Sequence, residues 1–540
     1  MMKLNEYDPL DPLETDLYQL TMAYAYWKAG RHEEEAVFDV FFRRCPFGGE
    51  YAIYAGLEEV LRFVENFKFT PEKIDWLESK MLGCDKGFFR WLKGVNCERI
   101  KIDALEEGTI CFPRIPTMKV RGPLAIAQML ETGSLTLTNY PTLAATCASR
   151  MRLAAGWDKT LLEFGLRRAQ GRDGGLTASR YSFIGGFDGT SNVLASYLFD
   201  ILMKGTHAHS LVSSCQSLAD LSSTKIKRPD GSEIEFVQRV LDWRDFVCQK
   251  LGLLKTNEGE LTSFIMYAQA FPGGFLALVD TYDVLKSGVP NFLAVGLALL
   301  ELGYKPVGIR IDSGDLAYLS REAKAQMKKI SEALPADYVA WKKVLNEQII
   351  MGSNDIDEEI LLSLKQQGHE FTGFGLGTQQ VVCAKQPALG GVYKLVEING
   401  RSVIKLSEQM EKVTFPGDKI PYRLFDRENM PILDLMTLLN DEPKAGVTVT
   451  CRHPFVETKR VQVLPSRVMP LHYRAWAGQR TRPALSDAKI RENVISNIKA
   501  MRPDHLRLLN PTPYKVSLSE SLYGFLHSLW QDNAPIAIIQ

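Results

Sequence analysis

Five short segments carry side chains that could do chemistry. FGLGTQQ holds Gly375, Gly377 and Thr378. Small residues leave backbone N–H groups open to an anion, and a hydroxyl with a following helix dipole would help to seat a phosphate. The same string also suits a tight strand-to-helix turn, and it lacks the lysine and spacing of a P-loop or dinucleotide fingerprint. In IRIDSGD, Arg310 precedes Asp312 by two residues, so both share a face if the strand continues. Arg310 offers a planar fork for a carboxylate or phosphate. Asp312 and Asp315 could hold sugar hydroxyls or Mg²⁺. The alternatives are a closed Arg310–Asp312 pair and an Asp315 helix cap. GTHAHS places His207 and His209 two apart, which on a strand points both the same way. No neighbouring Cys, Asp or Glu completes a zinc set, so one positioned histidine could carry a proton or act as nucleophile, or both could be packed loop residues. EFGLRR joins the Phe164 ring to Arg167 and Arg168. A ring stacks a heteroaromatic substrate and arginine grips phosphate, but core packing and a solvated helix start also account for them. LVDTYD adds Asp280 and Asp283, candidates for cation or ribose contacts or for helix capping.

These segments need elements to position them. From about residue 160, short apolar runs alternate with helical stretches of about ten to fifteen residues. Strands are expected at 161–164 and 275–280, 306–315 reads as a strand running into a polar turn with a helix through 328 after it, and helices are expected at 192–202, 291–302 and 357–366. The polar residues gather just after the strands, where both an α/β barrel and a doubly wound sheet place their sites. Ahead of this region, 14–30 reads as a helix stopped by Gly30, 36–44 as a strand and 51–67 as a helix. Residues 101–125 read as a small sheet-like domain of their own. A helix is expected near 517–530. The domains follow as 1–145, an α+β N-terminal domain; 146–400, carrying the site; and 401–540, completing the periphery of the second and packing on the first.

The chain has 540 residues, 45% hydrophobic and 24% charged, with 64 Lys+Arg against 64 Asp+Glu. A formal net charge of zero gives no drive onto nucleic acid or an anionic membrane. The polar start at 1–16 does not read as a signal peptide. No apolar stretch is expected to reach the roughly 18 residues of a membrane span. Nine cysteines without CxxC spacing fit a reducing compartment.

Taken together, TDLYQLTM, FDVFFRRCPF, EFGLRRAQG, SFIGGFDGTSNV, KGTHAHSLV, GIRIDSGDL and FGLGT closely resemble nicotinate phosphoribosyltransferases. The resemblance runs from Thr15 to about Asp426. It implies an irregular TIM-like α/β barrel with an added α+β domain built from both chain ends, and a cytosolic homodimer with shared active sites. It implies ATP-coupled transfer of phosphoribosyl from phosphoribosyl pyrophosphate to nicotinate, in NAD synthesis, with ATP as co-substrate and Mg²⁺ (or Mn²⁺) assisting. His209 falls on the family phosphohistidine. Arg310 and Asp312 fall among the catalytic residues. Tyr18, from the neighbouring chain, Thr206 and Arg310 fall on the nicotinate contacts, and Phe164 on the stacking ring. Arg167, Gly375, Gly377 and Thr378 fall on the phosphate side, and Asp280 and Asp283 are candidate metal ligands. His207 stands where the family usually has another residue, so no role is carried over to it. A nicotinamide phosphoribosyltransferase shares the plan, and a nucleotide sensor on the same barrel is the non-enzymatic alternative.

Overall fold

The strand Glu35–Phe41 is buried along all but its first residue, and Val392–Ile398 buries Tyr393, Val396 and Ile398. They lie side by side in an antiparallel sheet of six strands, ordered Arg401–Ser402, Val392–Ile398, Glu35–Phe41, Met118–Pro123, Lys101–Leu105 and His472–Ala477. The computed structural model describes residues 10–407, 409 and 412–534. Residues 1–9 of the polar start therefore lie outside the described residues. The chain divides into two units: 1–149 with 180–186 and 383–540, and 150–179 with 187–382.

The first unit holds that antiparallel sheet and a second, mixed one that includes Lys419–Phe425, Pro431–Leu438 and Lys515–Ser519. The 101–125 stretch is not a domain of its own: its strands pair with each other and with Glu35–Phe41. Nor does the second unit run to 400. Residues 383–400 join the first unit because Val392–Ile398 finds its pairing edge on Glu35–Phe41. The described part of 401–540 also belongs to the first unit, so it does not complete the periphery of the second. The first helix is Leu17–Lys28. The next starts at Leu57, later than 51, because Gly56 takes φ 100° and Ala52–Ile53 pairs with Ile110–Cys111.

The second unit is a parallel sheet ordered Leu276–Leu278, Gly308–Ile311, Ile349–Gly352, Gly373–Leu376, Thr160–Glu163 and Gly189–Thr190. Helices Val289–Glu301, Leu316–Ala333 and Glu358–Gln367 connect its consecutive members. The last strand in the chain pairs with the first. Continuous apolar strands buried on both faces explain the sequence pattern. The run Val284–Glu301 has a mean hydropathy of 1.3 over 18 residues, enough by length and composition to cross a bilayer, contrary to the sequence expectation. It is 83% buried, which makes it a core helix here.

Candidate active site

Five of the six strands of the parallel sheet end at or beside residues that line one cavity. After Thr160–Glu163 come Phe164 and Gly165, after Gly189–Thr190 Ser191, and after Gly308–Ile311 Asp312. Ser353, Asn354 and Asp355 follow Ile349–Gly352, and Gly377 and Thr378 follow Gly373–Leu376. These C-terminal ends open onto a cavity of about 700 Å³. That volume suits two small substrates. Phe164, Arg167, Thr206, His209, Arg310, Asp312, Gly375, Gly377 and Thr378 all line it, so the fold brings these expected residues together. Tyr18 belongs to the first unit, exposed on Leu17–Lys28, and is not among the lining residues.

Phe164 is held by its own N–H, which donates to Leu376 O at 2.7 Å. Its ring lies on Gly375, where a Cβ would come within 2.3 Å of a ring carbon. Gly375 is therefore demanded by ring contact. Just before it, Glu163 is fully buried and accepts from Ser179 Oγ at 2.7 Å and Thr190 Oγ1 at 2.6 Å. Arg167 donates to Phe164 O at 3.0 Å. Thr378 Oγ1 donates to Asp355 Oδ1 at 3.2 Å, and the helix it opens, Thr378–Val382, has only five residues.

Arg310 and Asp312 do not form the closed pair that their spacing allows. The strand stops at Ile311, and Ser353 Oγ donates to Asp312 Oδ1. The Arg310 Nη2 donates to His207 O at 2.8 Å, and its Nε is buried without a partner. Thr206 Oγ1 is likewise buried and unpartnered. Burial pulls the Arg310 guanidinium below its ordinary pKa, opposed by Asp312 and Asp280. Asp315 is a cap: it accepts from Tyr318 N at 3.0 Å.

The two histidines do not share a strand face. His209 opens the helix His209–Ser213, and His207 precedes it in irregular chain. His209 Nδ1 lies 3.1 Å from Thr281 Oγ1. Its Nε2 is 3.9 Å from Asp280 Oδ1 and 3.7 Å from Asp312 Oδ2. Asp280 is buried, accepts from Asp312 N at 3.1 Å through Oδ2, and keeps Oδ1 without a hydrogen-bond donor. Asp283 serves as a cap. Its Oδ1 accepts from Leu285 N and Lys286 N at 3.0 and 2.8 Å, capping the π-helical turn Val284–Gly288. Among the described residues no three His, Cys, Asp or Glu side chains converge as a metal set.

Lys204, Ser191 and the Ser353–Asp355 turn also line the cavity and were not singled out from sequence. Asn354 has φ 113° and Asp355 φ 24°. Left-handed non-glycine backbone costs energy and gathers at functional turns. The SND string after an apolar strand was the available signal, since Asn and Asp tolerate that region best. Arg167, Arg168, Lys204 and Arg310 give the cavity four cations against Asp312 and Asp355. It is built for anionic ligands.

Comparison with known proteins agrees. Residues 13–139 match the family model for the nicotinate phosphoribosyltransferase N-terminal domain, and residues 418–526 the one for its C-terminal domain. The chain is 49% identical over 536 residues to nicotinate phosphoribosyltransferase 1 of Arabidopsis thaliana, across 97% of this chain and 95% of that protein. The chain belongs to the nicotinate phosphoribosyltransferase family. To the nicotinate phosphoribosyltransferase of Caenorhabditis elegans it is 48% identical, across 100% of this chain and 97% of the other. The crystal structure of human nicotinic acid phosphoribosyltransferase aligns with a TM-score of 0.84 at 39% identity, covering 95% of this chain and 99% of that one. The α/β fold is thus the family's. Both matched domain segments fall in the first unit, while the cavity lies in the second.

Proposed function

We propose that this chain transfers a phosphoribosyl group from phosphoribosyl pyrophosphate to nicotinate, giving nicotinate mononucleotide and pyrophosphate. The observation that carries this reading is the buried, unpartnered pair of Arg310 Nε and Thr206 Oγ1 in a cation-lined cavity beside the Phe164 ring. A ring acid meets all three: its carboxylate supplies the missing anion for Arg310, and its π face suits Phe164. The pyridine nitrogen already carries a free electron pair. It attacks the anomeric carbon as the bond from that carbon to pyrophosphate breaks, and pyrophosphate leaves with the bonding electrons. Arg167, Arg168 and Lys204 face the anionic end, with Gly377 and Thr378 beside them. Holding the ring nitrogen in line is the main catalytic task.

From sequence the reaction is expected to be ATP-coupled, and the comparisons do not bear on that coupling. The relatives' names state phosphoribosyl transfer to nicotinate and no ATP. The transfer itself balances between two substrates and two products. His209 keeps a place as a proposed site residue. With Nδ1 tied to Thr281, its Nε2 is the atom that could carry a phosphoryl group.

Mg²⁺ commonly takes one or two carboxylates and completes its shell with substrate phosphates. Asp280, with its unpartnered buried Oδ1, and Asp312 fit that mode beside His209, whereas Asp283 does not. When bound there, the ion would neutralise charge on the leaving pyrophosphate. We further read the parallel sheet as an irregular barrel, because the 203–207 segment reaches both of its edges, Met203 bridging to Thr190 and His207 accepting from Leu278 N. A homodimer with shared sites is supported by exposed Leu17 and Tyr18 on one helix. In that reading Tyr18 serves the partner's cavity.

The deciding experiment is pyrophosphate release with phosphoribosyl pyrophosphate and nicotinate, nicotinamide or no acceptor. Release that needs nicotinate supports the reading. Equal release with nicotinamide supports an amide-using enzyme, and none with either supports a binding protein. Mixing Tyr18→Ala with Arg310→Gln chains should regain activity if sites are shared. No regain, or full activity in a monomer, rejects sharing.

A further inference from the structure

The parallel sheet has two open edges, and one short segment touches both. At one edge Met203 pairs with Thr190 in a parallel bridge, with Lys204 N donating to Thr190 O at 3.0 Å. At the other edge the strand Leu276–Leu278 is paired only on its Gly308–Ile311 side. The outward N–H of Leu278 would ordinarily donate to a neighbouring strand's carbonyl. Here it donates to the His207 Nε2 at 3.2 Å. The main-chain oxygen of the same histidine accepts from Arg310 Nη2 at 2.8 Å. Tyr267 braces the imidazole edge-on, with ring centroids 4.6 Å apart.

We propose that His207 is a positioning residue, standing in for a missing strand at the sheet edge and, from that anchor, aiming the Arg310 guanidinium at the substrate carboxylate. This rests on the role given to Arg310 under the proposed function. An unpaired buried N–H at Leu278 would be costly, so the acceptor at this place is under strong physical demand. The acceptor must be an unprotonated nitrogen. Burial, with Arg310 and His209 nearby, brings the imidazole down to about 4, so Nε2 stays free to accept at neutral pH. The proton then sits on Nδ1. Tyr267 is the other titratable ring against it.

Glutamine can place an amide oxygen where Nε2 stands, and leucine fills the space without an acceptor. Relative to wild type, His207→Leu should raise the nicotinate KM by about three- to tenfold, the size of one lost hydrogen bond. The phosphoribosyl pyrophosphate KM and kcat should change much less. His207→Gln should recover most of the nicotinate KM. A folded leucine variant with wild-type nicotinate KM overturns the proposal, as does a glutamine variant no better than leucine. Nitrogen-resolved NMR of ¹⁵N-histidine wild-type protein gives a second reading that needs no variant. A His207 protonated at Nδ1 with Nε2 accepting, unchanged from pH 6 to 8, is expected; an Nε2–H tautomer overturns the proposal. If wild type shows no nicotinate-dependent transfer, the proposed function fails instead, and the NMR result still tests the sheet-edge anchor.

Discussion

At the scale of the residue, the proposed function rests substrate selection on Arg310. It is a largely buried cation that donates to a neutral carbonyl, and its Nε is unpartnered. A buried cation in that state gains most from an incoming anion. Losing such a contact costs about 2–5 kcal/mol, or roughly thirtyfold to several thousandfold. Arg310→Gln should lower kcat/KM for nicotinate by that order. Nicotinamide, being uncharged, should lose less, and the ratio between the two should narrow. Arg310→Lys should recover only part, because a point charge cannot copy the planar fork. Steady-state rates on both substrates, with a thermal melt, check this. A folded glutamine variant that keeps wild-type selectivity would remove Arg310 from carboxylate recognition.

Two elements set the geometry around it. The strand Gly373–Leu376 carries Gly375 under the Phe164 ring. Adding a methyl within 2.3 Å of that ring forces the ring to tilt or the strand to shift. Gly375→Ala should raise the nicotinate KM and cost about 1–3 kcal/mol of stability, as overpacking does. An alanine variant with unchanged KM would mean that the ring's placement is not used. The π-helical turn Val284–Gly288 separates the two aspartates that sequence treated alike. Asp283 caps that turn, and Asp280 faces His209. Asp283→Ala should lose about 1 kcal/mol of stability and leave the Mg²⁺ dependence of the rate in place. Asp280→Asn should shift that dependence to higher Mg²⁺. Titrating Mg²⁺ in both variants tests the distinction, and the reverse pattern would restore Asp283 as the ligand.

Over the whole molecule, buried charge couples stability to pH. Glu107 is buried in the first unit and accepts from Gly56 N at 2.6 Å and Glu58 N at 3.0 Å. Desolvation raises its carboxyl to about 7, against the pull of Arg180. A folded-state value above the unfolded one means that the native state binds the extra proton. Its stabilising contribution is present below about 4 and fades as pH rises through about 7. The difference amounts to on the order of 3 kcal/mol. Glu107→Gln should flatten the decline of stability between pH 5 and 8. Urea unfolding across that range measures it, and a variant with the wild-type slope would show that Glu107 is ionised in the native protein.

The sequence by itself determined the alternation of strand and helix in the second unit, and the clustering of polar residues after the strands. Periodicity and turn residues are local properties, so FGLGT, IRIDSGD and EFGLRR could be placed at strand ends before any packing was known. It also supplied the residue types from which the family could be recognised. Tertiary structure decided what those types do. Arg310 is not closed on Asp312, because the strand ends between them and Ser353 takes the carboxylate. His207 and His209 part company, because one seals a sheet edge and the other begins a helix. Residues 383–400 leave the parallel-sheet unit, because their strand finds its edge on Glu35–Phe41. In the first unit Lys419 meets Asp39 at 2.5 Å and Lys119 meets Asp418 at 2.6 Å, all four buried. No local pattern marks such partners. A buried charge takes whichever opposite charge the fold delivers within hydrogen-bond reach, and only the folded chain settles which one that is.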